Sequence, residues 1–369
     1  MIKQVNLIDI CDPKQWKTIS SNDLHDEGYP VYGANGKIGY FSKYTHEFPT
    51  VLITCRGATC GTINICEPKS YVNGNAMALD NLDSSVDLTY LFYVLKYRGF
   101  DDAISGSAQP QITRQNLKNV KIPMPLLVNQ RKIAAILDAA DSLRQKDQQL
   151  VERYTALSQS IFLEMFGDPV TNPMVWEKAA AIKYCECIVP GRDKPKSFTG
   201  EIPWVTTNDL NHLAFTVKSK SCIGLTTYEI QEVRARVIPE YSVILTCVGD
   251  LGVVSINTKP LVVNQQLHTF QCDNEYISPV FMMYALSHQK PYMLKMASST
   301  TVPYMNKTVC NSIPMIYPPI ALQNQFAERI QLIEAQKQQA KLSLAKSEAL
   351  FNSLLQRAFM GELTAKMAA

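Results

Sequence analysis

Short polar segments of the sequence contain side chains that suit hydrogen bonding to the edges of nucleic-acid bases. Asn and Gln can form paired hydrogen bonds with adenine, Arg can do so with guanine, and a Thr methyl group can contact that of thymine. In the first half of the chain the candidates are Arg56, Asn73, Asn75, Gln109, Gln111 and Arg114. In the second half they are Trp204, Thr206, Thr207, Asn208, Asn264, Gln265, Gln266 and His268. A second interpretation stays open, in which these side chains form turns and cap backbone groups.

No known catalytic motif accompanies these segments, so the sequence predicts a protein that is not an enzyme by itself. The segment from Gly33 to Ile38 has two residues between its glycines, where a phosphate-binding P-loop has four. A turn between strands explains this segment better. The segment Tyr317-Pro-Pro319 reverses the residue order of a methyltransferase loop and lacks a glycine-rich cofactor strand. The histidines and cysteines show no convincing metal-ligand spacing, so we predict neither a metal site nor a cofactor in this chain.

The composition fits a folded protein with more than one domain. The chain has 369 residues, of which 46% are hydrophobic and 19% are charged. It contains no apolar run of membrane-spanning length and no secretion signal, so we expect a cytoplasmic protein with reduced thiols. The net charge is only +3. If the chain contacts DNA, we therefore expect a partner to supply much of the phosphate neutralisation.

Two long segments with a heptad pattern organise the chain. In each of them small or apolar residues recur at steps of three and four, which is typical of a coiled coil. The first runs from Asn129 to Phe166, and its predicted seam is Ile133, Ile136 or Leu137, Ala140, Leu143, Leu150, Tyr154, Leu157, Ile161 and Met165, interrupted by Asp147. The second runs from about Gln323 to Phe359, and its predicted seam is Phe326, Ile330, Ile333, Ala340, Leu344, Phe351, Leu354 and Ala358, with polar Lys337 and Ser347.

Each long segment follows a globular block, and the two blocks share framing motifs. The repeated pairs are residues 51–57 with 243–249, residues 72–75 with 263–266, residues 105–110 with 298–303, and residues 122–125 with 313–319. The two seams also share a register, since Phe326 lies 193 residues after Ile133. The pattern predicts a tandem repeat in four regions: residues 1–125, 126–168, 169–318 and 319–369.

The repeat also predicts how the helices pack. If the helices were parallel, both globular blocks would crowd at one end, because each helix directly follows its own block. We therefore expect an α+β fold with two similar α/β domains separated by two long antiparallel coiled-coil helices and related by a pseudo-two-fold axis. Such a protein could measure a distance along duplex DNA, whose grooves recur every ~34 Å.

The chain resembles the specificity subunit of type I restriction-modification systems, and the likeness extends through both halves in order. It rests on Gly200-x-Ile-Pro-Trp204 with Asn208-Asp209-Leu210, on residues 105–111 followed by 117–125 and Asn129-Gln130, and on residues 313–319 followed by Asn324-Gln325. The first block departs from the pattern, with Tyr29-Pro-Val-Tyr32 where the second has Ile202-Pro-Trp-Val205.

The resemblance implies a non-catalytic subunit of a DNA methyltransferase and restriction endonuclease complex. Residues 1–125 and 169–318 would be target-recognition domains, each of which reads one half of a bipartite DNA target. The coiled coil would set the spacing and dock two methyltransferase subunits, and restriction subunits would join the full complex. S-adenosylmethionine, ATP and Mg would belong to those partners. The alternative is a stand-alone sequence-specific DNA-binding protein or coiled-coil scaffold protein.

Overall fold

The chain divides into two compact units in the computed structural model, which describes residues 3–34, 36–106, 109–191, 193–298 and 301–365. The first unit consists of Met1–Gln149 and Lys341–Ala369, and the second of Leu150–Ala340. Each unit therefore combines one globular part with one stretch of each long helix. Several residues of the motifs above fall outside the described part of the chain: Asn35, Ser107, Ala108, Ser299 and Thr300.

The first unit is built on two small sheets. Its strands are β1 (Gln4–Asn6), β2 (Asp12–Gln15), β3 (Tyr29–Gly33), β4 (Gly36–Phe41), β5 (Val51–Thr54), β6 (Ile63–Ile65), β7 (Tyr71–Val72), β8 (Ala76–Asp80) and β9 (Lys121–Pro123), and its helices are α1 (Leu88–Arg98) and the first part of α2 (Leu127–Phe166). One sheet has the order β2-β8-β5-β6, the other has the order β4-β3-β7, and β1 pairs with β9. The strand β5 is apolar on both faces because it is central, and α1 packs with it in one core.

The second unit has larger sheets. Its strands are β10 (Glu177–Ala180), β11 (Cys185–Glu186), β12 (Ile202–Val205), β13 (Ala214–Thr216), β14 (Gly224–Leu225), β15 (Val237–Ile238), β16 (Val243–Thr246), β17 (Val254–Asn257), β18 (Leu261–Val263), β19 (Leu267–Cys272) and β20 (Pro314–Tyr317). Its helices are α3 (Thr227–Glu232), α4 (Pro279–Ser287), α5 (Lys290–Met296), α6 (Lys307–Asn311) and the first part of α7 (Ile320–Phe359). The sheet orders are β11-β19-β16-β17-β13 and β14-β12-β18-β15, and β10 pairs with β20.

The two units repeat one plan, which confirms the predicted fold class. Strand β3 runs parallel to β7 in the first unit, and β12 runs parallel to β18 in the second. The strand pair next to the long helix is β1 with β9 in one unit and β10 with β20 in the other. Helices α1 and α4 occupy equivalent places in the two cores. The recurrence of the same pairings follows from the sequence repeat.

The long helices begin slightly earlier than predicted and pack antiparallel within each unit. Helix α2 begins at Leu127 rather than Asn129, and α7 begins at Ile320 rather than Gln323. A short helix, α8 (Glu362–Ala365), follows α7. In the first unit the core contains Ile133 near the start of α2 and Ala358 near the end of α7, while Asp147 accepts a hydrogen bond of 3.1 Å from Ser343. No helix among the described residues is long and apolar enough to cross a membrane.

The predicted seam of α7 is confirmed, whereas the seam of α2 was wrong at three leucines. Leu143, Leu150 and Leu157 are 46%, 40% and 44% exposed. The buried residues include Leu137, which the prediction gave as the alternative to Ile136, and Ser158, which directly follows the exposed Leu157. The physical reason is that the globular part of each unit packs on another side of α2. In the second unit α4 lies in one core with Phe162, and in the first unit α1 lies in one core with Leu137. The Tyr93 hydroxyl of α1, for example, donates a hydrogen bond of 2.8 Å to Asp138.

A buried glutamine anchors each long helix to its globular part. In the first unit Gln130 joins three backbone groups: its Oε1 accepts from Asp87 N–H (2.9 Å), and its Nε2 donates to the carbonyls of Ser85 (3.0 Å) and Pro125 (2.9 Å). In the second unit Gln323 does the same with Ser278 N–H (2.9 Å) and the carbonyls of Tyr276 (3.2 Å) and Pro318 (2.8 Å). The structural counterpart of Gln130 is therefore Gln323, and not a residue of the Asn324-Gln325 pair.

Candidate nucleic-acid interface

Three segments of the first unit meet at one end of β5 and β8. Three backbone hydrogen bonds join them: Cys55 N–H to Asn75 O (3.0 Å), Gly57 N–H to Pro110 O (3.1 Å) and Ile112 N–H to Cys55 O (3.0 Å). Arg56 and Gln111 are directly paired in an antiparallel bridge. We call this arrangement, which comprises residues 55–57, 73–75 and 109–112, the first loop frame. It brings together candidates that lie far apart in the sequence.

Four candidates on the first loop frame have exposed side chains: Arg56, Asn75, Gln109 and Gln111. Asn73 is buried instead, and its Oδ1 accepts hydrogen bonds from the N–H groups of Ile19 (3.1 Å) and Gly74 (2.8 Å). Arg114 is exposed but lies outside the frame, where it forms an ion pair of 2.8 Å with Asp12. The frame therefore presents one guanidinium and three carboxamides to solvent, all of which can bond to base edges.

The second unit repeats this backbone arrangement at the equivalent end of β16 and β19. The matching hydrogen bonds are Cys247 N–H to Gln266 O (2.9 Å), Gly249 N–H to Pro303 O (3.0 Å) and Met305 N–H to Cys247 O (2.9 Å). Val248 and Tyr304 form the antiparallel bridge. We call residues 247–249, 264–266 and 302–305 the second loop frame.

The two loop frames share a backbone but differ in side chains. The equivalent pairs are Arg56 with Val248, Asn75 with Gln266, Gln109 with Val302, and Gln111 with Tyr304. Val302 and Tyr304 are 53% and 45% exposed. The second frame is therefore largely apolar where the first can form hydrogen bonds. Selection by residue type did not find the three apolar members, Val248, Val302 and Tyr304. The sequence repeat does indicate one of them, because Tyr304 follows Pro303 as Gln111 follows Pro110.

The segment around Thr206 forms a stable turn beside β12. Trp204 is 4% exposed and packs with Leu225 in a small core, so its ring serves the fold. The backbone N–H and the hydroxyl of Thr206 donate to Asp209 Oδ2 at 2.7 and 2.8 Å. Burial opposes ionisation of Asp209, but these hydrogen bonds and those from Lys220 and Ser219 outweigh it, so the pKa of its carboxyl lies below the ordinary value. The turn leaves Asn208 exposed and Thr207 half-buried.

The segment after β18 connects the second loop frame to a neighbouring loop. Asn264 is half-buried, and its Nδ2 donates to Gln266 Oε1 at 3.1 Å. Gln265 is exposed, and its Nε2 donates to the carbonyl of Gly191 at 2.8 Å. The three side chains therefore form one polar edge, and Gln265 ties that edge to the loop that begins near Gly191.

His268 lies inside the second unit rather than on its surface. Its side chain is 5% exposed, and its Nε2 lies 3.0 Å from Asn311 Oδ1 and 3.4 Å from Cys187 Sγ. Burial lowers the pKa of its imidazole to about 4. The ring is therefore neutral at pH 7, and its place in the core indicates a structural role.

The buried His268 should make the protein less stable in mild acid. The unfolded chain binds a proton at the ordinary pKa of about 6.5, whereas the folded chain does so only near 4, so the free energy of unfolding should decrease as the pH falls between these values, by up to about 3 kcal/mol. His268→Gln should remove this part of the pH dependence, as measured by urea unfolding at pH 7 and pH 5. The matched change His25→Gln, at an exposed histidine, should leave it intact. An identical pH dependence in His268→Gln and wild type would contradict the assignment.

Comparisons with known proteins point to one family. The family model described as the type I restriction modification DNA specificity domain matches residues 2–153 and again residues 189–343. The specificity subunit of the type I restriction enzyme EcoprrI from Escherichia coli is 30% identical over 115 residues, which cover 31% of this chain and 28% of that protein. The specificity subunit of MjaVIII from Methanocaldococcus jannaschii is 22% identical over 324 residues, which cover 77% of this chain and 72% of that protein.

Two solved structures share the fold. The S subunit of a type I restriction-modification system from M. genitalium superimposes with a TM-score of 0.66 at 16% identity, over 97% of this chain and 96% of that chain. A structure described as showing complex assembly and conformational transition of the type I system superimposes with a TM-score of 0.52 at 16% identity, over 98% of each chain. Because the family model matches both halves in order and covers most of the sequence, the chain belongs to the type I restriction-modification DNA specificity family.

Proposed function

We propose that this chain is the sequence-specificity subunit of a type I restriction-modification complex, in which each globular part reads one half of a bipartite DNA target. The observation that supports this function best is the pair of loop frames. Their backbone hydrogen bonds match one to one, while all four positions compared between them carry different residues. A repeated frame with different side chains suits the recognition of two different half-sites, because base identity is read by side chains.

The long helices have a separate part in this function. In our proposal α2 and α7 set the distance between the half-sites and dock two methyltransferase subunits, and restriction subunits join the full complex. The chain itself is non-catalytic and acts in the cytoplasm. S-adenosylmethionine, ATP and Mg act in the partner subunits. The hydrogen bond that Asp147, a buried seam residue, accepts from Ser343 supports a fixed helix register, since polar seam positions favour one alignment over others.

The test is a map of methylated adenines at base resolution, made with the chain and its methyltransferase partner expressed together. Replacement of residues 169–318 by the matching segment of a family member with another target should change one half-site only. The reciprocal replacement of residues 1–125 should change only the other. A change in both half-sites, or in neither, would contradict the division of reading between the two parts, and an absence of methylation at any defined sequence would contradict the function itself.

A further inference from the structure

Four exposed basic side chains border the second loop frame: Lys194, Lys196, Arg234 and Arg236. We call them the basic patch. Two of them lie in the loop that Gln265 binds, and two lie in the turn between α3 and β15. They come from separate segments, so their proximity is a property of the fold and not of a basic run in the sequence.

The backbone brings the two segments into close contact. A Cβ atom added to Gly191 would lie 2.9 Å from both the Cα of Ala235 and the carbonyl oxygen of Arg234. Only glycine allows this approach without displacing the turn. On its other side the loop is held by Gln265, whose Nε2 donates to the carbonyl of Gly191 at 2.8 Å. The loop therefore lies between the Arg234 turn and the second loop frame.

Strand pairing places Arg236 at the frame end of β18. Val237 of β15 is the antiparallel partner of Val262 in β18, so Arg236 continues towards Val263 and the frame residue Asn264. Lys259 precedes β18 and is also exposed, but it lies at the opposite end of that strand. Lys259 therefore serves as a control residue, since it carries the same charge as each member of the basic patch but lies far from the second loop frame.

The basic patch has a local excess of positive charge. Within the described part of the chain, none of its four members forms an ion pair or a side-chain hydrogen bond. The exposed carboxylates nearest in sequence are Asp193 and Glu232. Glu229 is turned inward, where its Oε2 accepts hydrogen bonds from the N–H and hydroxyl groups of Thr226 at 2.7 and 3.1 Å. Four exposed cations against these three carboxylates leave the patch positively charged.

We infer that the basic patch binds the phosphate backbone of duplex DNA beside the half-site that the second loop frame reads. This inference rests on the proposed function and deepens it. Long flexible cations at the edge of a recognition surface suit phosphates, because phosphate contacts fix the position of a protein on DNA without reading its sequence. The net charge of the whole chain is only +3 and does not indicate phosphate binding. The basic patch nevertheless supplies phosphate neutralisation at one place.

The patch is tested by the salt dependence of DNA binding by the complex of this chain with its methyltransferase partner. The variants are R234N/R236Q and K194Q/K196Q, where Asn at 234 suits the left-handed backbone of that residue (φ 50°). Each lost phosphate contact should reduce the slope of log affinity against log KCl concentration by about one, so each double variant should lose about two. The methylated sequence should stay the same. The control Lys259→Gln should keep the slope of the wild type.

Three results would overturn the inference: wild-type slopes in both double variants, an equal loss of slope in Lys259→Gln, or a changed methylated sequence, which would make these residues base readers. Thermal melting of each variant shows whether the fold is kept. If the wild-type complex methylates no defined sequence, the proposed function fails, and the salt slope on nonspecific duplex DNA still tests the patch separately.

Discussion

Gln323→Ala should lower the free energy of unfolding by about 3 kcal/mol or more, and Gln130→Ala should have a similar effect in the first unit. Each glutamine is buried, with 0% exposure for Gln323 and 1% for Gln130, and each satisfies one backbone N–H group and two backbone carbonyls. Truncation leaves these groups buried without a partner, which costs about 1–3 kcal/mol for each group. The loss should loosen the junction between the long helix and α1 or α4.

Chemical denaturation followed by circular dichroism measures this effect, and hydrogen exchange shows where it acts. The variant Gln323→Met nearly keeps the volume but not the hydrogen bonds, and it should be destabilised to a similar extent. Gln339→Ala, at an exposed position of the same helix, should change stability by less than about 0.5 kcal/mol. If Gln323→Met were as stable as wild type, packing rather than hydrogen bonding would explain the conservation of this arrangement between the two units.

The repeat made the fold predictable from the sequence, including the two similar globular parts and the antiparallel helices. The seam of α2 was the exception. Three exposed leucines fit the heptad pattern, whereas the buried residues of this helix include Ser158. The seam of α7 contains the information that was missing, since Phe351 lies 193 residues after Ser158 and is also buried. Hydrophobicity alone could not show this, because Ser158 is polar and can be buried only because its hydroxyl donates to the Tyr154 carbonyl of the same helix.

The candidate site was predictable in part. Residue types correctly drew attention to Arg56 and Gln111, which the structure brings face to face although 55 positions separate them in the sequence. The same criterion selected Asn73, Trp204 and His268, all of which are buried. A side chain that bonds or packs inside the fold looks the same in a sequence as one that faces a ligand. Selection by residue type also overlooked Val248 and Tyr304, because apolar residues are ordinarily assigned to a core.

The double change R56V/Q111Y gives the first loop frame two side chains of the second, and it should alter recognition of one half-site only. The backbone should tolerate the change, since Val248 and Tyr304 already occupy the same bridge in the second unit. A bidentate contact from Arg to guanine, or from Gln to adenine, contributes about 1–3 kcal/mol of discrimination. Preference for the wild-type base at the contacted position should therefore fall by roughly 10- to 100-fold.

This prediction is measured by methylation of DNA libraries in which each half-site is randomised in turn. The reciprocal change V248R/Y304Q should affect the other half-site, and Lys118→Gln, an exposed cation of the first unit outside the frame, should affect neither. If R56V/Q111Y weakened methylation of all sequences equally, the frame would hold the DNA backbone and the bases would be read elsewhere in the unit. Changed preference at one half-site with unchanged preference at the other would instead assign base recognition to the loop frames, because both variants keep the backbone and exchange only what it presents.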